Sequence, residues 1–157
     1  MSEKILNVLV VGTGDMARKH IEGYRHLPDI QMAGVVGRDP KRAAVLCRET
    51  GISAHYRDIA SALAGGRIDI ASLCVPTYLH AEMTIQLLQH GVHVLTEKPL
   101  ALDLDSGKRM IEAAETAGRK LSVIFNRRFS GAFQEYSGRL GELGTPLIYR
   151  VNDVRQV

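Results

Sequence analysis

The chain has 157 residues, of which 45% are hydrophobic and 24% charged, with a formal net charge of +3. This length is that of one domain, and the composition is ordinary for a globular protein, which excludes a disordered or fibrous chain. Its 20 Lys and Arg residues are scattered among 17 acidic residues, so we expect no nucleic-acid partner. No apolar stretch approaches the roughly 20 residues of a membrane helix, and Cys47 and Cys74 are too far apart for a zinc knuckle. We therefore expect a cytoplasmic protein without a membrane anchor or a metal site.

Short apolar runs alternate with amphipathic segments along most of the chain. The apolar runs predict strands at residues 6–11, 31–36, 53–56, 68–74, 93–96 and 121–125. The amphipathic segments predict helices near residues 15–26, 40–50, 77–90 and 103–117. Several of the strands lack a clean polar alternation, as is typical of strands covered by helices on both faces. The pattern predicts an α/β fold with a doubly wound parallel sheet.

The residues at the ends of the predicted helices support these assignments. Asp39 precedes Pro40, which places a capping carboxylate before a proline at the first helical position. Gly51 follows the same helix as a stop, and Gly91 and Gly118 are expected to end the two later helices in the same way.

The chain changes character near residue 130. A helical segment to residue 140 is followed by a predicted turn at 141–146 and a predicted strand at 147–151. We assign residues 1–128 to the main domain and 129–157 to the beginning of a second α/β domain. A lone strand presents unpaired backbone groups, so residues 147–151 are expected to pair with another copy of the chain and form a homo-oligomer.

A glycine turn joins the first predicted strand to the first helix. Gly12 permits the tight turn, Gly14 lets the backbone approach a pyrophosphate, and Ala17 allows close packing of the helix. The N-terminus of a helix favours an anion. The turn predicts a dinucleotide site in a Rossmann domain, although an ordinary strand-to-helix turn or a methyltransferase site would use a similar sequence. The polar face of the following helix is predicted to carry Arg18, His20 and Glu22.

The end of the second strand bears on the choice of dinucleotide. An acidic residue there would bind the ribose 2′-hydroxyl of NAD, whereas an Arg nearby would accommodate the 2′-phosphate of NADP. Gly37 occupies the expected acidic position and Arg38 follows it. The residues favour NADP over NAD, unless Arg38 is a solvated surface residue.

Three longer motifs accompany the glycine turn. They are Cys74-Val75-Pro76-Thr77-Tyr78-Leu79-His80-Ala81-Glu82, Gly91-Val92-His93-Val94-Leu95-Thr96-Glu97-Lys98-Pro99 and Phe125-Asn126-Arg127-Arg128-Phe129. Together with the turn they resemble the Gfo/Idh/MocA family of oxidoreductases, and the Glu-Lys-Pro element is the most specific part. The resemblance implies a Rossmann domain followed by an α/β substrate domain. It also implies hydride transfer between NADP or NAD and a sugar, polyol or related hydroxy or carbonyl substrate.

The resemblance also implies site residues. Cofactor contacts fall on Gly12, Thr13, Gly14, Asp15, Met16, Arg38, Pro76, Thr77, His80 and Glu97. His80 would instead be structural if it only packs at the start of its helix. Lys98 would be the catalytic or substrate-positioning residue, unless it is a surface cation paired with Glu97, and its bond to Pro99 is commonly cis in the family. Asn126 and Arg127 would face the substrate, unless they lie on an exposed loop.

The sequence departs from the family in its second domain. Complete family members are longer and carry an Asp-x-x-x-His element there, but no His follows Pro146 in this chain. We therefore expect either the cofactor half of a dehydrogenase, incomplete as a catalyst, or a non-catalytic dinucleotide-binding or sensor module. A small-molecule substrate is expected only where a complete second domain is present.

Overall fold

The computed structural model describes residues 5–145. The strand predicted at 147–151 lies outside the described residues, as does the end of the turn predicted at 141–146. The chain divides into two compact units, and the boundary lies between Ile124 and Phe125. The sequence places its domain boundary after residue 128, and the assignment of the second segment to a substrate domain stays a prediction.

A parallel sheet forms the centre of the first unit. Its strands are β1 (Leu6–Val11), β2 (Ile30–Val36), β3 (His55–Tyr56), β4 (Ile70–Leu73), β5 (His93–Thr96) and β6 (Leu121–Val123). Within residues 5–124 these six strands pair in parallel in the order β3-β2-β1-β4-β5-β6. This is the strand order of a doubly wound Rossmann sheet, so the predicted fold class is confirmed.

Helices connect the strands of this sheet. They are α1 (Asp15–Tyr24), α2 (Pro40–Thr50), α3 (Ile59–Gly65), α4 (His80–Gln89) and α5 (Leu104–Ala117), with a 3₁₀ turn at Thr77–Leu79 before α4. The predicted helix at 77–90 is thus a 3₁₀ turn followed by an α-helix. The predicted strands at 53–56, 68–74 and 121–125 are longer than β3, β4 and β6. The excess lies before β3, on both sides of β4 and after β6, where the chain is already loop.

The sequence interpretation missed α3. This helix has seven residues, too few to show a helical repeat of apolar residues, and four of them are Ala or Gly. Its signal lies at the N-terminus, where Asp58 and Ser61 form a capping box: the Ser61 N–H donates to Asp58 Oδ1 at 2.8 Å and the Asp58 N–H donates to Ser61 Oγ at 3.3 Å. The capping hydrogen bonds from Ser61 lower the pKa of Asp58.

The predicted helix ends are confirmed. The Asp39 carboxylate accepts hydrogen bonds from the N–H groups of Lys41 and Arg42 at the start of α2. Gly51 and Gly118 follow α2 and α5 in the left-handed conformation, with φ of 62° and 59°. Gly91 has a φ of 77° just beyond α4. Each of these glycines allows a helix to stop where a residue with a Cβ would be strained.

Two apolar cores lie on opposite faces of the sheet. Successive side chains of β1 point to opposite faces, so Leu9 and Val11 enter one core and Val10 enters the other. The first core includes residues of α3, α4 and α5, and the second includes residues of α1 and α2. Residues 8–11 of β1 are all at most 1% exposed. The central strand is therefore rigidly held, and the loop that follows it has a fixed starting point.

The second unit is described from residue 125 to 145. It contains 3₁₀ turns at Asn126–Phe129 and Leu140–Leu143 and the helix α6 (Gly131–Arg139). The predicted helix between residues 130 and 140 is confirmed, and it begins at Ser130, whose hydroxyl accepts a hydrogen bond from the Phe133 N–H. Within residues 5–145, no helix has the length and apolarity needed to cross a membrane.

Asp69 joins β1 to the residues just before β4, at the amino ends of the strands and thus at the end of the sheet away from the glycine turn. Its Oδ2 accepts hydrogen bonds from the backbone N–H of Asn7 at 2.9 Å and from Asn7 Nδ2 at 3.2 Å, and its Oδ1 accepts from Arg67 Nη2 at 2.7 Å. Burial alone would raise the pKa of Asp69, but the hydrogen bonds from Asn7 and Arg67 outweigh it. The pKa of Asp69 therefore lies below its usual value.

We expect Asp69→Asn to lower the free energy of unfolding by about 1 kcal/mol at pH 7. Because the folded-state pKa is the lower one, the carboxylate stabilises the fold above its unfolded-state pKa and loses this effect as the pH falls through the folded-state pKa. The difference from wild type should therefore shrink below about pH 4, which urea unfolding at several pH values measures. Glu112→Gln on the exposed face of α5 is the control and should unfold like wild type at pH 7. A difference that stays constant down to about pH 2 would contradict this assignment.

Candidate functional site

A cleft of about 570 Å³ lies at the carboxyl ends of β1, β2 and β4. Its walls are the glycine turn after β1, residues 37–39 and 42 after β2, residues 57–60 after β3, and residues 74–76 after β4. From β1 the sheet is extended on one side by β2 and β3 and on the other side by β4, β5 and β6. The strand order thus reverses next to β1, and open α/β sheets bind ligands at such a switch point. The volume is in the range of small-molecule and cofactor sites.

Gly12 and Gly14 meet different requirements within the turn. Gly12 has a φ of 125°, and a Cβ on it would lie 2.3 Å from the Cys74 carbonyl oxygen, so the protein itself excludes any other residue. Gly14 caps α1, and a Cβ on it would meet nothing within 4 Å. The space beside Gly14 leaves the backbone at the start of α1 open to a ligand. This arrangement fits a pyrophosphate bound by helix N–H groups.

Gly37 is held against the glycine turn. A Cβ on Gly37 would lie 2.4 Å from Thr13 Cγ2 and 3.3 Å from Ala43 Cβ. An aspartate or glutamate at position 37 would therefore require Thr13 to move. Glycine at position 37 thus allows the chain after β2 to lie close to Thr13 and Ala43.

Three arginines line the cleft where Gly37 lies. They are Arg38, Arg42 and Arg57, of which the sequence interpretation identified only Arg38. A second cavity of about 350 Å³ adjoins the cleft through Gly37, Arg38 and Arg57. Guanidinium groups bind phosphate oxygens through paired hydrogen bonds. The sequence could have indicated Arg57. It lies between the predicted strand at 53–56 and Asp58, a potential helix cap, and therefore at the carboxyl end of a strand.

His80 was predicted to contact the cofactor, unless it packs at the start of its helix. The residue is 1% exposed. Its Nδ1 is 2.9 Å from the Pro99 carbonyl oxygen, and its Nε2 is 3.0 Å from the Val75 carbonyl oxygen. Because both ring nitrogens already contact the backbone, the structure supports the packing role. His80 joins the loop after β4 to the loop after β5, while Pro76 borders the cleft beside it.

Glu97 and Lys98 follow β5 and face in different directions. Glu97 is buried, with Oε1 3.2 Å from His20 Nε2 and Oε2 accepting a hydrogen bond from the Lys98 backbone N–H at 3.2 Å. Lys98 is exposed. The Lys98–Pro99 peptide bond is cis, as the resemblance implies. Within residues 5–145 the Glu97 carboxylate contacts His20 and the Lys98 backbone N–H, not the Lys98 ammonium group.

The prediction that His20 lies on the polar face of α1 is wrong. Its side chain is only 7% exposed, and Nδ1 is 2.6 Å from Ser72 Oγ and 3.2 Å from Cys74 Sγ. Helical spacing explains this, because residues three and four apart share a face, and position 20 thus falls on the face of Ala17 and Tyr24. Ala17 and Tyr24 at this spacing could have indicated that His20 faces the interior. Arg18 and Glu22 are exposed, as predicted.

The thiol of Cys74 is kept neutral at the wall of the cleft. Burial raises its pKa to about 12, the negative Glu97 carboxylate adds to the rise, and a hydrogen bond with Ser72 opposes it. A protonated thiol is a poor nucleophile, so Cys74 is not a reactive cysteine. Within residues 5–145, no three or more His, Cys, Asp and Glu side chains are grouped to hold a metal ion.

The remaining predicted site residues fall on two parts of the chain. Asp15 and Met16 form the first turn of α1, and Thr77 begins the 3₁₀ turn before α4. Asn126 and Arg127 belong to the 3₁₀ turn of the second unit, and their role towards a substrate stays a prediction.

Comparisons with known proteins agree with this architecture. A family model described as an oxidoreductase family with an NAD-binding Rossmann fold matches residues 6–125. The chain is 30% identical to scyllo-inositol 2-dehydrogenase (NAD+) of Bacillus subtilis, covering 90% of this chain and 42% of that protein. It is 26% identical to scyllo-inositol 2-dehydrogenase (NADP+) of the same organism, covering 90% of this chain and 43% of that protein.

A solved structure shows the same fold in a bound state. The WlbA dehydrogenase from Bordetella pertussis, in complex with NADH and UDP-GlcNAcA, matches with a TM-score of 0.83 and 26% identity. The match covers 90% of this chain and 41% of that chain. The chain thus spans less than half the length of the relatives it matches.

The two glycines of the turn provide a matched pair of variants. We expect Gly12→Ala to lower the free energy of unfolding by at least about 2 kcal/mol, because it adds both backbone strain and a contact with the Cys74 carbonyl. Gly14→Ala has room for its methyl group and should change that energy by less than about 1 kcal/mol. Its methyl group should nevertheless weaken binding of a pyrophosphate ligand about tenfold, since it occupies the approach to the helix terminus. Urea unfolding and NADPH fluorescence measure the two effects, and equal stability losses in both variants would contradict this distinction.

Proposed function

Because this chain belongs to the Gfo/Idh/MocA family of oxidoreductases with an NAD-binding Rossmann fold, we propose that its cleft binds a nicotinamide dinucleotide and that the chain is the cofactor half of a dehydrogenase. Its relatives include NAD- and NADP-dependent inositol dehydrogenases. The proposed substrate is a sugar, a polyol or a related hydroxy or carbonyl compound. The observation that carries the proposal is the glycine turn, where the start of α1 opens into the cleft beside Gly14.

The proposed pose places the pyrophosphate at the start of α1. Backbone N–H groups of residues 13–16 would hold its oxygens, helped by the helix dipole. Asp39 and Asp58 also border the cleft, but each accepts hydrogen bonds at a helix N-terminus. The nicotinamide end would extend past Pro76 towards the loop after β5.

The preferred cofactor in this proposal is NADP. A 2′-phosphate adds negative charge next to Gly37, where Arg38, Arg42 and Arg57 line the cleft. Gly37 itself offers no carboxylate for the 2′-hydroxyl of NAD, and a side chain there would require Thr13 to move. Arg42 and Arg57 add two cations to Arg38 at the place where the 2′-phosphate would lie.

The proposed catalytic residue is Lys98. The bound cofactor supplies or accepts the hydride. The protein must then position the substrate and move a proton at its hydroxyl or carbonyl oxygen. Lys98 follows β5, whose neighbour β4 ends at the cleft wall, and its exposed ammonium group is available for both tasks. Asn126 and Arg127 are proposed as further substrate contacts, and turnover is proposed to require a substrate domain.

Titration of the chain with NADPH and NADH, followed by nicotinamide fluorescence, tests the proposal. We expect both to bind and NADPH to bind more tightly. Arg38→Ala and Arg57→Ala should each weaken NADPH binding about tenfold, the value of one charge-assisted hydrogen bond, and should change NADH binding by less than about threefold. Arg109→Ala, an exposed arginine on α5, is the control and should bind both cofactors like wild type.

The possible results separate the parts of the proposal. NADH binding as tightly as NADPH would refute the proposed role of the three arginines and leave the dinucleotide site intact. Absence of binding for both would refute the dinucleotide site, and binding of S-adenosylmethionine instead would favour a methyltransferase.

A further inference from the structure

The His20 side chain joins three elements of the first unit. It projects from α1, its Nδ1 contacts Ser72 on β4 at 2.6 Å, and its Nε2 contacts Glu97 after β5 at 3.2 Å. The other oxygen of Glu97 accepts the backbone N–H of Lys98. A continuous series of hydrogen bonds thus runs from the first helix to the residue proposed as catalytic.

Chemistry determines the direction of these hydrogen bonds. A carboxylate only accepts, so His20 Nε2 carries the hydrogen that Glu97 accepts. With the hydrogen on Nε2 alone, Nδ1 is an acceptor for the Ser72 hydroxyl at 2.6 Å, and the Cys74 thiol lies 3.2 Å from the same atom. Ser72 Oγ in turn accepts from the Tyr24 hydroxyl at 3.4 Å. The tautomer with its hydrogen on Nε2 therefore offers a donor to Glu97 and an acceptor to Ser72.

We propose that His20 is a positioning residue: by holding the Glu97 carboxylate inside the domain, it fixes the Lys98 backbone relative to the phosphate-binding helix α1. The helix that carries His20 begins at Gly14, where the pyrophosphate is proposed to bind. One side chain thereby sets the position of the lysine with respect to the cofactor. The catalytic importance of the Lys98 position rests on the proposed function. The hydrogen bonds that hold Lys98 are present whatever the function is.

Two other roles for Ser72, His20 and Glu97, catalysis by Ser72 and simple stabilisation of the fold, explain these contacts less well. Ser72, His20 and Glu97 have the connectivity of a serine hydrolase triad, but Ser72 is 0% exposed, so no substrate can reach its hydroxyl. A purely stabilising role is also a weak explanation, because buried polar pairs often contribute less stability than well-packed apolar residues of similar volume. Orientation of a neighbouring loop is the role that these contacts perform.

Three variants separate positioning from packing. His20→Gln places an amide near the Nε2 position and keeps a donor for Glu97. His20→Asn is shorter, keeps a polar group near Ser72 and cannot reach Glu97. Leu46→Ala removes buried apolar volume from α2, which packs in the core that contains Ile21 of α1, and serves as a control for lost stability.

Hydrogen exchange of the Lys98 backbone amide, followed by NMR, is the measurement. In His20→Asn we expect this amide to exchange at least about tenfold faster than in wild type, relative to the Val94 amide in β5, because its acceptor is no longer held. His20→Gln should exchange within about threefold of wild type. In Leu46→Ala the Lys98 and Val94 amides should change together. Equal Lys98 exchange in His20→Asn and His20→Gln would overturn the proposal.

The ring of His20 offers a second readout. Nitrogen-15 NMR of the wild-type chain should show a hydrogen on Nε2, and a hydrogen on Nδ1 alone would overturn the assigned directions. Neither measurement needs a bound cofactor. Failure of NADPH and NADH to bind would therefore refute the proposed function, while the Lys98 exchange and the His20 tautomer decide this inference separately.

Discussion

The close approach of the backbone at Gly12 is the constraint on which the site depends. The Gly12 N–H donates to the Val36 carbonyl at 2.8 Å, and the Cys74 N–H donates to the Val11 carbonyl at 2.8 Å. The turn after β1 is therefore held between the ends of β2 and β4, with Gly12 against the Cys74 carbonyl. Because residues 8–11 of β1 are buried, the turn cannot shift, and α1 must start where the turn directs it. The open N-terminus of α1 and the direction of His20 both follow from this starting point.

The two ends of the site differ in charge. Three arginines lie where the chain leaves β2 and β3, and they make that end of the cleft suited to a phosphate. At the end near β4 the cleft is lined by Cys74, whose thiol is kept neutral, and by Val75 and Pro76. A long ligand with phosphates at one end and a neutral or positive ring at the other matches this division.

Buried polar groups concentrate at the carboxyl ends of β4 and β5. Ser72, His80, Thr96 and Glu97 are all less than 9% exposed, and each has a hydrogen-bond partner. An apolar core would be simpler to build at this place, since every buried polar atom needs a partner. The loops that carry Pro76 and Lys98 are thereby held by specific bonds instead of by packing alone. Polar atoms can orient a loop because hydrogen bonds depend on direction.

Local patterns in the sequence determined most of the fold. The alternation of apolar runs and helices, the Asp39 cap and the glycine stops act within a few residues, so they predicted the doubly wound sheet and the helix ends correctly. The short helix α3 escaped because its seven residues carry only a capping signal. The glycine turn and the Gly37-Arg38 pair were also visible, because each requirement lies within one turn of backbone.

Only the tertiary structure decided which distant side chains meet. His20 and Glu97 are 77 residues apart in the sequence, and their contact depends on how α1 lies over the ends of β4 and β5. The same holds for Arg57, which the sheet order brings beside Arg38, and for His80, which the packing of α4 turns inward onto the Val75 and Pro99 carbonyls. The sequence predicted His20 on the polar face of its helix and left His80 open between a cofactor contact and a packing role. Burial and hydrogen bonding between elements, which no local pattern specifies, assigned both to the interior.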